Sequence, residues 1–206
     1  ATVQKGLQRF HRLRKNLPTE GLAFIEFGGN DCDFLWSEVG DNPTLPHEPN
    51  LTIQRFRETY QELIVEIKDH GLVPILLSLP PLDAERYFQA FTNGFDQIKK
   101  AKILEWLGGS VDAIYRWHEA YNDVIPELAG ETGAAFIDIR QPFLLARKPY
   151  QFICEDGIHP NVAGHQLIAD TLKESMTHCY DTILRKANKL SQRFLPRSPE
   201  SKAETD

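Results

Sequence analysis

Cysteine is scarce and unpaired in this chain. Cys32, Cys154 and Cys179 are odd in number and form no paired-cysteine motif. They supply no disulfide framework, and a reducing compartment fits. No apolar run approaches the length needed to span a membrane. A cytoplasmic location is expected from that cysteine usage; no secretory leader is visible at the start, Ala1-Thr2-Val3-Gln4-Lys5-Gly6, which says little of location. Positive charge is in deficit: a net charge of −6 argues for solubility and against a nucleic-acid surface. The one basic cluster, Arg9 to Lys15, reads as the solvated outside of a helix. Serine is missing from the whole stretch before Ser37. What is present is a chain of 206 residues, enough for one domain with a sizeable core.

Helical and strand patterns alternate along it. Thr2 to Leu17 reads as a helix with Val3, Leu7, Phe10 and Leu13 on one side. Leu22 to Phe27 is a short apolar run that reads as a buried strand. Asp41 to Asn50 is a Pro-rich loop. Thr52 to His70 is an amphipathic helix, with Ile53, Phe56, Tyr60, Leu63, Ile64 and Ile67 on one face, and Gly71 stops it. Val73 to Leu79 is a second strand. Ala84 to Leu107 is helical with a break near Asn93-Gly94, and Val111 to Glu131 is another helix. Ala134 to Ile139 is a third strand. Val162 to about Lys186 is a closing helix with Ile168, Leu172, Met176 and Tyr180 inward. Residues 1–186 form the domain, and 187–206 read as a polar, disordered tail. Strands separated by helices imply an α/β fold in three layers, a parallel sheet covered on both faces. Right-handed crossovers then gather Asn30, Ser78 and the loop after Ile139 at one sheet edge.

Two short motifs at that edge carry chemistry. Asp156-Gly157-Ile158-His159-Pro160 holds a carboxylate three residues before an imidazole, with Gly157 permitting the turn that lets them meet. A histidine is suited to take a proton from a hydroxyl nucleophile, and a carboxylate on its other nitrogen fixes the tautomer. Asn161 suits the cap of the helix that follows, and Pro160 its first position. The second motif, Phe27-Gly28-Gly29-Asn30-Asp31, follows an apolar strand, where ligands of open parallel sheets sit. Its glycines allow a close turn and Asn30 can aim an amide N–H at developing negative charge. Each motif has a plainer reading: Asp156 as a turn residue with His159 on the surface, and Asn30 as an Asx turn closing a strand.

Taken in order, a strand, Gly-Gly-Asn-Asp, a long α/β stretch and Asp-x-x-His-Pro before a helix resemble the SGNH/GDSL hydrolase family. The likeness continues through Ile25-Glu26-Phe27, Leu79-Pro80-Pro81-Leu82-Asp83 and Ile137-Asp138-Ile139-Arg140, covers Ala1 to about Leu184, and suggests a bacterial branch. It implies a flavodoxin-like SGNH-hydrolase fold and ester hydrolysis through a serine acyl-enzyme without a cofactor. Asn30 maps onto the oxyanion asparagine, Asp156 and His159 onto the acid and base, and Gly29, Asp31 and Ile158 are expected to contact substrate. The substrate implied is a small-molecule, glycan or lipid ester, with a short acyl or carbohydrate ester among the candidates. The family's Gly-Asp-Ser nucleophile block and its oxyanion glycine have no counterpart here. The expectation is a chain lacking its first strands, inactive alone. The alternatives are a non-catalytic ester- or glycan-binding pseudoenzyme and an inactive truncation.

Other residues are weaker candidates. Ser78 sits near the strand edge, but Leu79-Pro80-Pro81 cannot form the tight turn into a helix that a nucleophile elbow needs. Cys32 reads as a buried hydrophobe. Asp31, Asp33 and His47 lack metal-ligand spacing, so no metal is expected. The segment Pro80 to Ser110, with Tyr87, Phe88, Phe91, Phe95 and Trp106, is long for a connection. Packing onto the body is favoured over a lid, and Trp117 and His118 take the same reading. In a flavodoxin-like order the strand Leu22 to Phe27 would neighbour the missing first strand and become an edge, with Glu26 its only charge, open to self-association.

Overall fold

The computed structural model describes residues 1–193, with side chains through residue 177. Three strands, β1 (Gly21–Ile25), β2 (Leu72–Leu77) and β3 (Ala135–Ile137), form a parallel sheet in the order β1-β2-β3. Gly21 registers with Leu72 and Ile25 with Leu76, and Ile75 to Leu77 register with Ala135 to Ile137. The crossovers are helical, as a parallel sheet requires. Strand ends fall about two residues earlier than the apolar runs predict, because pairing stops where the chain turns into the site loops.

One face of the sheet is covered by α1 (Val3–Leu13), α3 (Ile53–Asp69) and α6 (Asp112–Thr132). α3 buries Phe56, Tyr60, Leu63, Ile64 and Ile67, while α1 buries only Val3 and Leu7. At roughly 1.5–3 kcal/mol for each large apolar side chain fully buried, α3 is the principal cover. The Tyr60 hydroxyl also donates to the Ile25 carbonyl at 3.2 Å, tying that helix to the end of β1. Ile53, expected inward, is 43% exposed, because it opens the first turn of α3 beyond the sheet. α6 ends on Gly133, whose φ of +66° turns the chain into β3.

The opposite face carries α8 (Val162–Arg193), with Ile168, Leu172 and Met176 packed on Ile75, Leu77 and Ile137. α8 continues past the expected end near Lys186. The expected inward Tyr180 and the tail after Arg193 lie outside the described side chains and residues. This helix covers β2 and β3 but leaves Leu22 and Phe24 of β1 each 48% exposed. β1 is therefore buried on one face only, through Ala23 and Ile25, and not on both as its composition predicts.

A second cluster lies above the strand ends. α2 (Trp36–Asp41), α4 (Ala84–Phe91) and α5 (Gln97–Trp106) pack Trp36, Val39, Phe88, Ile103 and Leu107 against Val111 and Ile114. α2 was not expected; it is only six residues long. The break between α4 and α5 falls at Thr92 to Phe95, and each helix is capped by an aspartate, Asp83 and Asp96, accepting a backbone N–H. The aromatic residues of this segment mainly build that cluster: Trp36 stacks on Phe91 at 4.4 Å and Phe34 packs on Trp117 at 4.8 Å. A short α7 (Gln141–Leu145) and a 3-10 turn, Pro149–Phe152, lead to α8. No described helix is long and apolar enough to cross a membrane.

Candidate active site

The chain leaves β1 through a turn that only glycine fits. Gly28 has φ +145°, and a Cβ there would lie 2.7 Å from Leu79 Cδ1. Its carbonyl accepts the Asp31 and Cys32 N–H groups at 3.0 and 2.9 Å, closing the loop. Asn50 and Leu51 brace it from outside. Asn50 N–H donates to Asp33 O at 2.7 Å, its Nδ2 to Asn30 O at 2.9 Å, and Leu51 N–H to Asp31 O at 3.0 Å. These bonds fix the Asn30 backbone while leaving its side-chain amide without a protein partner among the described residues. Asn50 is a positioning residue that sequence reasoning missed. It lies in a Pro-rich loop, and only the fold shows its partners.

Asp31 does not contact the cavity, contrary to expectation. Its side chain is fully buried, and Oδ1 accepts the Val3 N–H at 2.9 Å, anchoring the start of α1. Burial pushes its carboxyl up to about 6 against the lowering effect of the Val3 hydrogen bond. Cys32 is also structural. It is 8% exposed, its thiol donates to Gly29 O at 3.3 Å, and burial and the neighbouring aspartates push its pKa up to about 12. Such a thiol is no nucleophile.

The loop before α8 holds Asp156 and His159. Asp156 Oδ1 accepts the N–H groups of Ile158 and His159 at 3.0 and 3.1 Å, an Asx turn. Its Oδ2 lies 2.7 Å from His159 Nδ1. Both carboxylate oxygens are thereby occupied, and the imidazole presents Nε2 outward. Burial alone would raise the Asp156 carboxyl, but the hydrogen bonds from His159 and the backbone outweigh it, and its pKa falls below the usual value. Gly157 takes φ +81°, and its carbonyl accepts the Asp83 N–H at 2.8 Å, docking this loop on the start of α4. Asn161 caps α8, its Oδ1 accepting the Gly164 N–H at 3.1 Å. Pro160 lies outside the helix.

Gly29, Asn30, Ile158 and His159 line one cavity of about 480 Å³, within the range of small-molecule sites. Trp36, Tyr87, Trp117 and His118 join them from α2, α4 and α6, with Glu26, Cys32 and Asp33 from the loop after β1. No serine or threonine is in that wall. Ser78 is 1% exposed, donates to Asp138 Oδ1 at 2.8 Å and accepts the Arg140 N–H at 3.0 Å, so its hydroxyl is committed to joining β2 to β3. Among the described residues no cluster of His, Cys, Asp or Glu is arranged to hold a metal ion.

Behind the cavity a polar network joins its wall to the sheet. Arg140, 3% exposed, pairs with Glu119 and donates to Leu79 O and the Tyr115 hydroxyl. Asn122 Oδ1 accepts the Leu79 N–H at 2.9 Å. His118, buried beside this network, has its pKa pushed down to about 3, by desolvation first and by Arg140 second. Burial therefore favours its neutral imidazole form.

The comparisons agree with this architecture. The fold resembles an acetylxylan esterase from Geobacillus stearothermophilus, 21% identical with a TM-score of 0.53, over 84% of this chain and 66% of that one. It also resembles a GDSL-like lipase from Bacteroides thetaiotaomicron, 19% identical with a TM-score of 0.57, over 87% of this chain and 72% of that one. A curated relative, the uncharacterized lipoprotein YqeF of Bacillus subtilis (strain 168), is 28% identical over 124 residues, which are 60% of this chain and 44% of that protein. The chain thus spans less than half of the curated relative and just under two thirds of the acetylxylan esterase. The model of the GDSL-like lipase/acylhydrolase family matches residues 1–167, and the chain belongs to that family.

Proposed function

We propose that this chain carries the acid–base and oxyanion half of a serine ester hydrolase. The observation behind this reading is the 2.7 Å contact between Asp156 Oδ2 and His159 Nδ1, held by an Asx turn at the mouth of the cavity that Asn30 also lines. In the proposed reaction a serine hydroxyl gives its proton to His159 Nε2 as its oxygen attacks the ester carbonyl. Asp156 holds the ring in the required tautomer and stabilises the imidazolium. The Asn30 amide donates to the oxyanion. The imidazolium then protonates the departing alcohol, and water repeats the sequence on the acyl-enzyme. Gly29 and Ile158 flank the reacting carbonyl. No cofactor is required.

The nucleophile is proposed to come from a polypeptide segment beyond these 206 residues that adds a strand along the open edge of β1. Two features support this: no described residue offers a free hydroxyl in the cavity wall, and β1 presents an apolar edge beside Asn30 that no described strand pairs. The 206-residue chain is expected not to hydrolyse p-nitrophenyl acetate, and a fluorophosphonate probe should label no serine in it. Stoichiometric labelling, above all at Ser78, overturns the assignment. In a longer polypeptide that supplies the strand and serine, Asn30→Ala should lower kcat by roughly 10²–10³-fold, and His159→Ala by more. Full activity in Asn30→Ala would remove that residue from the oxyanion site. Binding of an ester without turnover in the longer polypeptide would favour the pseudoenzyme.

For location, a reducing compartment remains the proposal, supported by the free thiols of Cys32 and Cys154. Recovery of the native protein from a membrane fraction, as the name of the Bacillus relative would suggest, overturns it.

A further inference from the structure

We propose that Asp33 and His118 form a recognition subsite for a polyhydroxylated ring, the alcohol half of the ester. That the ring belongs to an ester rests on the function proposed above; that it binds here does not.

Neither residue has a part in the acid–base chemistry: Asp33 lines the cavity from the loop after β1 and His118 from α6, while Asp156 and His159 lie on the loop before α8. Asp33 Oδ1 accepts the Tyr87 hydroxyl at 2.7 Å and the Trp36 indole N–H at 2.8 Å. Two donors from different helices converge on one oxygen, which fixes the carboxylate and leaves Oδ2 with no side-chain donor among the described residues. Desolvation holds this carboxyl above its usual pKa, so an added hydrogen-bond donor would stabilise its charged form. His118 is 6% exposed and lines the same cavity, and its buried Nδ1 has no hydrogen-bond partner among the described residues. A buried polar atom left unpaired is costly, so the imidazole gains from a partner that reaches it.

The two groups select a chemistry together. A carboxylate only accepts, whereas a neutral imidazole donates from one nitrogen and accepts at the other. Neighbouring hydroxyls on a ring satisfy both, because each hydroxyl donates and accepts. Trp36 and Trp117, held by their packing on Phe91 and Phe34, add apolar lining to the same cavity for the ring's C–H groups. An alkyl chain placed here would desolvate Asp33 and His118 without pairing either, which discriminates against it. A cationic ligand is disfavoured by the Arg140 guanidinium, whose charge already acts on His118, and by the two donors that share the Asp33 charge.

All three tryptophans of the chain, Trp36, Trp106 and Trp117, belong to this cluster, so intrinsic fluorescence reports on it. The 206-residue chain would be titrated with methyl pentosides and hexosides, with hexanoate and with tetramethylammonium. A saturable change with at least one glycoside is expected, weakened at least about tenfold in Asp33→Asn and in His118→Phe, the scale set by a buried group losing its partner. Tyr87→Phe keeps the ring and removes one donor from Asp33. It should weaken binding in a protein whose circular dichroism spectrum still shows it folded, which keeps the test decisive if either of the other variants unfolds. No saturable response to any glycoside, tighter binding of hexanoate or tetramethylammonium, or folded variants that bind like the parent would overturn the proposal. Binding here needs no nucleophile, so a failed titration leaves the hydrolase reading standing, and a failed hydrolysis assay leaves the subsite standing.

Discussion

Asp31 stands in the middle of the site motif, yet its carboxyl is fully buried with one oxygen on Val3 N–H and the other unpaired. Its folded-state pKa of about 6 lies above the usual carboxylate value. The folded state therefore binds the proton more tightly than the unfolded state, and stability from this group is full below about pH 4 and lost as pH rises through about 6. Asparagine keeps an acceptor for Val3 and cannot ionise. Urea unfolding at pH 4 to 8 should show the parent losing stability relative to Asp31→Asn over that window, by an amount on the order of 2–3 kcal/mol. Parallel curves would exclude a buried ionisable Asp31. At this scale, legibility follows sequence separation. The Asp156–His159 pair was legible because its partners are three residues apart and the glycine between them marks the turn. The Asn50 brace on Asn30 and the Asp33–Tyr87 contact were not, because these partners come close only in the fold: Tyr87 is 54 positions from Asp33.

The loop carrying His159 is not free-standing; it is locked to α4. The Gly157 carbonyl accepts the Asp83 N–H, and a Cβ on Gly157 would lie 2.4 Å from the Tyr87 nitrogen and 2.6 Å from the Asp83 carbonyl oxygen. Those are backbone atoms of a capped helix start and cannot move aside as a side-chain tip can. Gly157→Ala therefore adds a collision to an already unfavourable φ of +81°. It should cost at least roughly 2 kcal/mol in chemical unfolding and alter the His159 ring signals in NMR spectra of the folded protein. Unchanged stability and spectra would show that the loop is not docked on α4. The long helices α3 and α6 were legible because their apolar period persists for 17 and 21 residues. The short helices α2 and α7 carry too little period to be read, at six and five residues. They form because Trp36 buries itself against the distant α4 and α5, and Phe143 packs on Phe152 of the turn that follows.

Across the whole molecule the cover of the sheet is uneven. α1, α3 and α6 close one face, and α8 closes the other only over β2 and β3. Leu22 and Phe24, at 48%, and Val73, at 52%, form an apolar strip beside the edge of β1 that no described strand pairs. That edge was legible as an open one because the family order places another strand beside it. Its one-sided burial was not, since an apolar strand looks the same whether one helical layer covers it or two. Natural edges carry lysine, proline or a bulge, and β1 has none within Gly21–Ile25. Strand addition would pair its free N–H and C=O groups and cover the strip in one step. The 206-residue chain is therefore expected to associate with itself in size-exclusion chromatography as concentration rises. Phe24→Lys should shift it to monomer at little cost to stability, because this side chain is half in solvent already. Hydrogen exchange should show the β1 amides gaining protection on association. A monomer at all concentrations, with the Phe24 and Ile25 amides strongly protected, would mean that another part of the chain covers this edge.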